Sequence, residues 1–133
     1  MRVSISREDL DRIRHLAAAG EGEICGLLLG TEGRIEAIRP AANIAPDPAR
    51  HFELDPALLL AAHREARGGG PRIVGHYHSH PGGVAVPSAT DAACARPDGS
   101  LWLIVAGSAA RLWIAGPGER GQVRFAEAAL DIL

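Results

Sequence analysis

The chain has 133 residues, 47% of them hydrophobic and 23% charged, with a formal net charge of -2. That length fits one domain with its own core, and the balanced charge excludes a phosphate-backbone binder, which needs a basic stripe. All 14 basic residues are Arg, so the surface offers no lysine for conjugation.

Cys25 and Cys94 are too few for a disulfide framework. Both lie in apolar surroundings, where reduced, buried thiols are expected. The N-terminus lacks the apolar core of a signal peptide, and no apolar run approaches the roughly 20 residues of a membrane span. The simplest expectation is a cytoplasmic protein with neither a membrane nor a nucleic-acid partner.

Arg2 to Ile5 alternates polar and apolar residues and reads as a first strand. Ser6 offers an N-cap with Asp9 at capping-box distance, and Leu10, Ile13, Leu16 and Ala17 recur at helical spacing. A helix over 7–19 follows, ended by Gly20 and Gly22. The run Glu23-Ile24-Cys25-Gly26-Leu27-Leu28-Leu29-Gly30 reads as a buried strand with one charge at its start. Taken alone, Glu23 is a solvated strand end. Arg34 to Arg39 completes a hairpin across Gly33.

Residues 40–50 have loop composition, with Pro40, Asn43, Pro46, Asp47 and Pro48. His51 to Leu54 suggests a short edge strand. Asp55-Pro56 is a cap followed by proline at the first helical position, predicting a helix over 57–67. His63 belongs to that helix and reads as a surface residue. Gly68-Gly69-Gly70-Pro71 breaks it, and Arg72-Ile73-Val74-Gly75 opens the next strand. After a Gly- and Pro-rich loop, Ala92 to Ala95 form a short helix. Strands are then expected over 101–106, 111–115 and 122–126. The pattern is a single mixed-sheet α/β domain spanning residues 1–133, with helices flanking the sheet.

The chemistry gathers on Gly75-His76-Tyr77-His78-Ser79-His80-Pro81 and on Ser88-x-x-Asp91. Alternate residues of a strand share one face, so three imidazoles line up together. Such a face makes a poor core and a good metal site. Zinc catalysis needs three protein ligands and an open position for water, so a third ligand must come from elsewhere, and Asp91 is the obvious candidate. Ser88-x-x-Asp91 is also a plain capping box, and both readings can hold at once.

His78-Ser79-His80-Pro81, the following loop and Ser88-x-x-Asp91 together resemble the signature of the JAMM (MPN-plus) zinc metallopeptidases. The upstream glutamate of that signature has its match in the Glu23–Gly30 segment. The resemblance extends to the first helix, to His51-Phe52-Glu53-Leu54-Asp55-Pro56 and to the Leu101–Ala106 strand. It implies a compact MPN-like, cytidine-deaminase-like fold of the minimal prokaryotic type. It also implies one zinc ion per chain with a catalytic water, held by His78, His80 and Asp91. Glu23 is then the general base and Ser88 an oxyanion donor. His76 falls where the family varies and reads as a structural strand histidine; Ser79 is part of the pattern without being a ligand.

The implied activity is hydrolysis of peptide or isopeptide bonds after the C-terminal Gly-Gly tail of a ubiquitin-like or sulfur-carrier protein. Only residues 40–50 and Cys94–Ser100 are available to flank a substrate groove, which suits a slim extended tail. The alternative is a catalytically silent MPN-type scaffold, though such a scaffold has no need of all five signature residues. A nucleoside deaminase would require His-x-Glu and Pro-Cys-x-x-Cys, which the chain lacks.

Overall fold

The computed structural model describes residues 1–133. Its strands are β1 (Arg2–Ile5), β2 (Cys25–Thr31), β3 (Arg34–Ala41), β4 (Arg72–Ser79), β5 (Leu101–Ala106), β6 (Ala109–Pro117) and β7 (Val123–Ile132). Its helices are α1 (Arg7–Ala19), α2 (Pro56–Arg67) and α3 (Ala89–Cys94). The strands pair in the order β1-β3-β2-β4-β5-β6-β7 and the sheet closes on itself. Short β1 makes the seam, running parallel to β7 and meeting β3 only at Ser4 and Arg34. The β4–β5 pair is also parallel, and the chain crosses between them through α3.

Two apolar layers explain the unbroken hydrophobicity of β2. Leu28 faces the main core with Val3, Ile5, Tyr77, Leu103 and Leu112, which also receives Leu10 and Ile13 of α1. Leu27 and Leu29 face the other way and pack with Ala62, Leu58 and Leu59 of α2. A strand covered on both faces has no place for polar alternation. Each leucine fully buried in this way is worth about 1.5–3 kcal/mol over exposure.

The helices begin where side chains can cap them. Ser6 Oγ accepts the Asp9 N–H at 3.1 Å, and Asp55 Oδ1 accepts the Ala57 N–H at 3.0 Å. The β2–β4 register slips by one residue between Leu28 and Leu29, so Leu28 faces Gly75 while Leu29 faces Ile73. This bulge changes the phase of β4. Ile73 packs towards α2, Val74 towards the main core, and His76 and His78 still emerge on the α2 side.

Five expectations need correcting. The second strand begins at Cys25, so Glu23 precedes the ladder instead of opening it. His51–Leu54 is not a strand; only the Asn43–Leu54 bridge forms, because side-chain bonds from Asn43 occupy the segment. The short helix starts at Ala89, directly after its Ser88 cap. Cys94 is exposed at the end of that helix, while Cys25 is a buried free thiol as expected. The last strand is also longer than expected, because its second half pairs with β1.

Candidate metal centre and active site

The site forms at the C-terminal end of β4. His78 Nε2 lies 3.1 Å from His80 Nε2 and 3.3 Å from Asp91 Oδ2, and His80 Nε2 lies 3.1 Å from Asp91 Oδ2. Three donor atoms therefore make a nearly equilateral triangle. A tetrahedral ion with zinc-like bonds of about 2.0–2.1 Å requires donor separations of about 3.3–3.4 Å. The residues fit such an ion, and two imidazoles with one carboxylate are the donor set it takes.

Each of the three side chains is held by a different device. Asp91 is the third residue of the α3 capping box: Ser88 Oγ accepts the Asp91 N–H at 3.0 Å, and Asp91 Oδ2 accepts the Ser88 N–H at 2.9 Å. The cap and the candidate ligand are thus one structure. His80 Nδ1 donates to the Val84 carbonyl at 2.8 Å, which leaves its Nε2 lone pair facing the triangle. His78 has no such partner, for its Nδ1 is buried and unpaired. Its ring is held by packing instead. Phe52 stacks on it with centroids 4.3 Å apart and planes 18° apart, and Trp102 meets it edge-on at 5.8 Å.

Electrostatics favour the ligating forms of two of the three. Burial lowers the His78 pKa, against the opposing pull of Asp91. The hydrogen bond from Asp91 raises that of His80. Burial pushes the Asp91 carboxyl up, but bonds from His78 and His80 outweigh it and hold the group well below the usual carboxylate range. A carboxylate that draws a proton onto His80 draws any other cation to the same place.

Glu23 stands just outside the triangle. A ligand atom of its carboxylate and those of His78 and His80 lie within 4.8 Å of one another, wider than the 3.1–3.3 Å of the Asp91 set. Both triads could hold a metal ion, and Asp91 makes the tighter one. It is 8% exposed, and burial, with a smaller push from Asp91, raises its pKa to about 7. Ser79 fixes this approach by accepting the Ile24 N–H at 2.9 Å through its hydroxyl. It faces away from the donor atoms, as strand alternation requires.

His76 stays out of the triangle. Its ring meets Trp102 edge-on at 4.3 Å and Phe52 at 5.1 Å, and burial beside His78 lowers its pKa to about 3. It is a neutral packing residue. The groove beside Asp91, of about 580 Å³, is walled by Ala45–Leu54 on one side and by Cys94–Ser100 on the other. Sequence reasoning missed Phe52 and Asn43. The His51–Pro56 segment was a signal for the first, while one asparagine in a proline-rich loop gives no signal of what it bonds.

Comparison with known proteins accords with this geometry. A family model described as prokaryotic homologs of the JAB domain matches residues 7–120. The chain is 37% identical over 110 residues to a desampylase of Haloferax volcanii, covering 77% of this chain and 79% of that protein. It is 35% identical over 77 residues to the "Probable TtuB-protein conjugate cleaving protease" of Thermus thermophilus, covering 58% of this chain and 51% of that one. The solution structure of a Desulfitobacterium hafniense protein superposes with a TM-score of 0.77 at 26% identity, covering 98% and 94% of the two chains. The chain belongs to the family of prokaryotic JAB-domain proteins.

Proposed function

We propose that this protein is a zinc-dependent metallopeptidase that hydrolyses peptide or isopeptide bonds after the C-terminal Gly-Gly tail of a ubiquitin-like or sulfur-carrier protein. One observation carries the reading: a donor triangle with 3.1–3.3 Å edges, with a carboxylate of raised pKa beside it but not in it. The relatives named as a desampylase and as a conjugate cleaving protease support the substrate class. The groove between two short segments suits an extended tail.

His78, His80 and Asp91 hold the ion. When bound, zinc supplies Lewis acidity, making water a nucleophile near neutral pH and polarising the scissile carbonyl. Glu23 takes one proton of the attacking water and passes it to the leaving nitrogen, and the remaining hydroxyl proton follows, so that the products are a carboxylate and a protonated amine. A base with a pKa near the working pH is suited to both halves of that transfer. Ser88 Oγ is occupied as an acceptor by the Asp91 N–H, so its own proton is free to donate to the carbonyl oxygen as charge develops.

The test uses small Gly-Gly-ended proteins fused through the tail to a fluorescent reporter, with and without a zinc chelator. Glu23→Gln is expected to abolish cleavage while zinc is kept; His78→Ala and Asp91→Ala are expected to lose the metal. Equal zinc loss in all three would make Glu23 a ligand instead of the base. Chelator-insensitive cleavage would remove the metal from the mechanism.

A further inference from the structure

Residues 43–53 do more than wall the groove. Asn43 uses every hydrogen-bonding position of its side-chain amide. Its Nδ2 donates to the carbonyls of Glu23 at 2.8 Å and His51 at 2.9 Å, and its Oδ1 accepts the N–H groups of Ala45 and Glu53, both at 3.0 Å. Pro48 contributes its carbonyl, which accepts the Glu23 N–H at 2.7 Å. Both backbone polar groups of Glu23 therefore end on this one segment.

That arrangement matters because no strand holds Glu23. The ladder of β2 starts two residues later, at Cys25, and β4 reaches only the neighbouring Ile24 through Ser79, so the Glu23 backbone groups themselves are held by the 43–53 segment. The same segment lays Phe52 on the ring of His78 and lines the groove with Ala45, Pro46 and Arg50. Groove wall, Glu23 backbone and one metal ligand meet in a single piece of chain, and Asn43 is its knot.

We propose that Asn43 is the positioning residue of Glu23, holding the base at its working distance from the donor triangle and tying it to the groove wall. The proposal rests on the reading of Glu23 as the base. Asn43 lies outside the donor triangle and acts on the base through the Glu23 carbonyl. Misplacing a reacting group by about 1 Å from a remote change costs about 100-fold in rate.

Asn43→Asp is the sharp test. It keeps an acceptor for Ala45 and Glu53, so those two groove-wall bonds survive, but removes the bonds donated to Glu23 and His51 and sets a carboxylate against both carbonyls. On the zinc-loaded protein and the best-cleaved Gly-Gly reporter fusion, kcat is expected to fall about 100-fold. KM, and the zinc dissociation constant from chelator competition, are expected to stay within about threefold. Asn43→Ala, which also frees Ala45 and Glu53, should raise KM in addition. A kcat for Asn43→Asp within about threefold of the parent, or a zinc loss parallel to the kcat loss, overturns the proposal.

A crystal structure of zinc-loaded Asn43→Asp gives a second arm that needs no turnover. The expected result is a Glu23 carboxylate displaced by about 1 Å or more, with His78, His80 and Asp91 in place. An undisplaced Glu23 refutes the positioning role. A displaced Glu23 with unchanged kcat would instead refute Glu23 as the base, so the two failures are distinguishable.

Discussion

Ser88 is the residue at which a structural role and a proposed catalytic one can be separated by measurement. Its hydroxyl oxygen caps α3 by accepting the Asp91 N–H at 3.0 Å, and its hydroxyl proton is the oxyanion donor we propose. Ser88→Ala removes both functions. Losing the cap costs about 1 kcal/mol, whereas losing an oxyanion donor costs about 2.7–4 kcal/mol of barrier, or about 10²–10³ in kcat. Ser88→Gly separates them, because glycine at an N-cap costs only a few tenths of a kcal/mol while still lacking the hydroxyl. Zinc should stay bound in both variants, since Asp91 Oδ2 is tied to the Ser88 backbone N–H at 2.9 Å whatever side chain stands there. The assay sets kcat on a Gly-Gly reporter fusion beside urea denaturation and bound zinc. Both variants should lose the same 10²–10³ in kcat while differing by about 1 kcal/mol in stability. A Ser88→Gly enzyme with parental kcat would reduce Ser88 to a cap, and kcat losses that track stability would do the same.

Two further outcomes follow from packing and linkage. A Cβ at Gly26 would come within 2.2 Å of the Tyr77 ring and its Oη, inside the main core, so Gly26→Ala should cost about the 1–3 kcal/mol typical of overpacking, a tenth to a third of a domain stability of about 10 kcal/mol. Chemical denaturation with an unchanged midpoint would show that the Tyr77 ring can move aside. Zinc should raise the unfolding free energy by about 4 kcal/mol at 1,000 times its dissociation constant, and a chelator should remove that gain. His78 and His80 must be neutral to coordinate, so the gain is full above the imidazole range and lost on acidification as protons displace the ion. With the His80 pKa raised by Asp91, that loss should begin at a higher pH than for a free imidazole. A zinc-induced shift in Tm that is flat from pH 5 to 8 would exclude histidine ligation.

Period and chemistry were legible in the sequence because they are local. The helical spacing of Leu10 and Ile13, the caps Ser6 and Asp55 and the apolar run Leu27–Leu29 each report a nearest-neighbour preference, and the elements formed where they pointed. The pair His78 and His80 followed from strand alternation, and Ser88-x-x-Asp91 from capping geometry. What the chain could not state locally was which groups meet across sequence distance. That three donor atoms close to 3.1–3.3 Å depends on a β4–β5 crossover that swings α3 back over the end of β4. The exclusion of His76 depends on where the crossover returns: Asp91 comes back over the C-terminal end of β4, beside His78 and His80 and beyond His76. Glu23 read alone as a solvated strand end because burial and a pKa near 7 are properties of what packs on it, not of its neighbours in sequence. The same holds for Asn43, whose four bonds reach residues 2, 8, 10 and 20 positions away. Local periodicity determined the elements and named the chemical groups; only the tertiary fold decided the distances between them, and a metal centre and a general base are defined by distances.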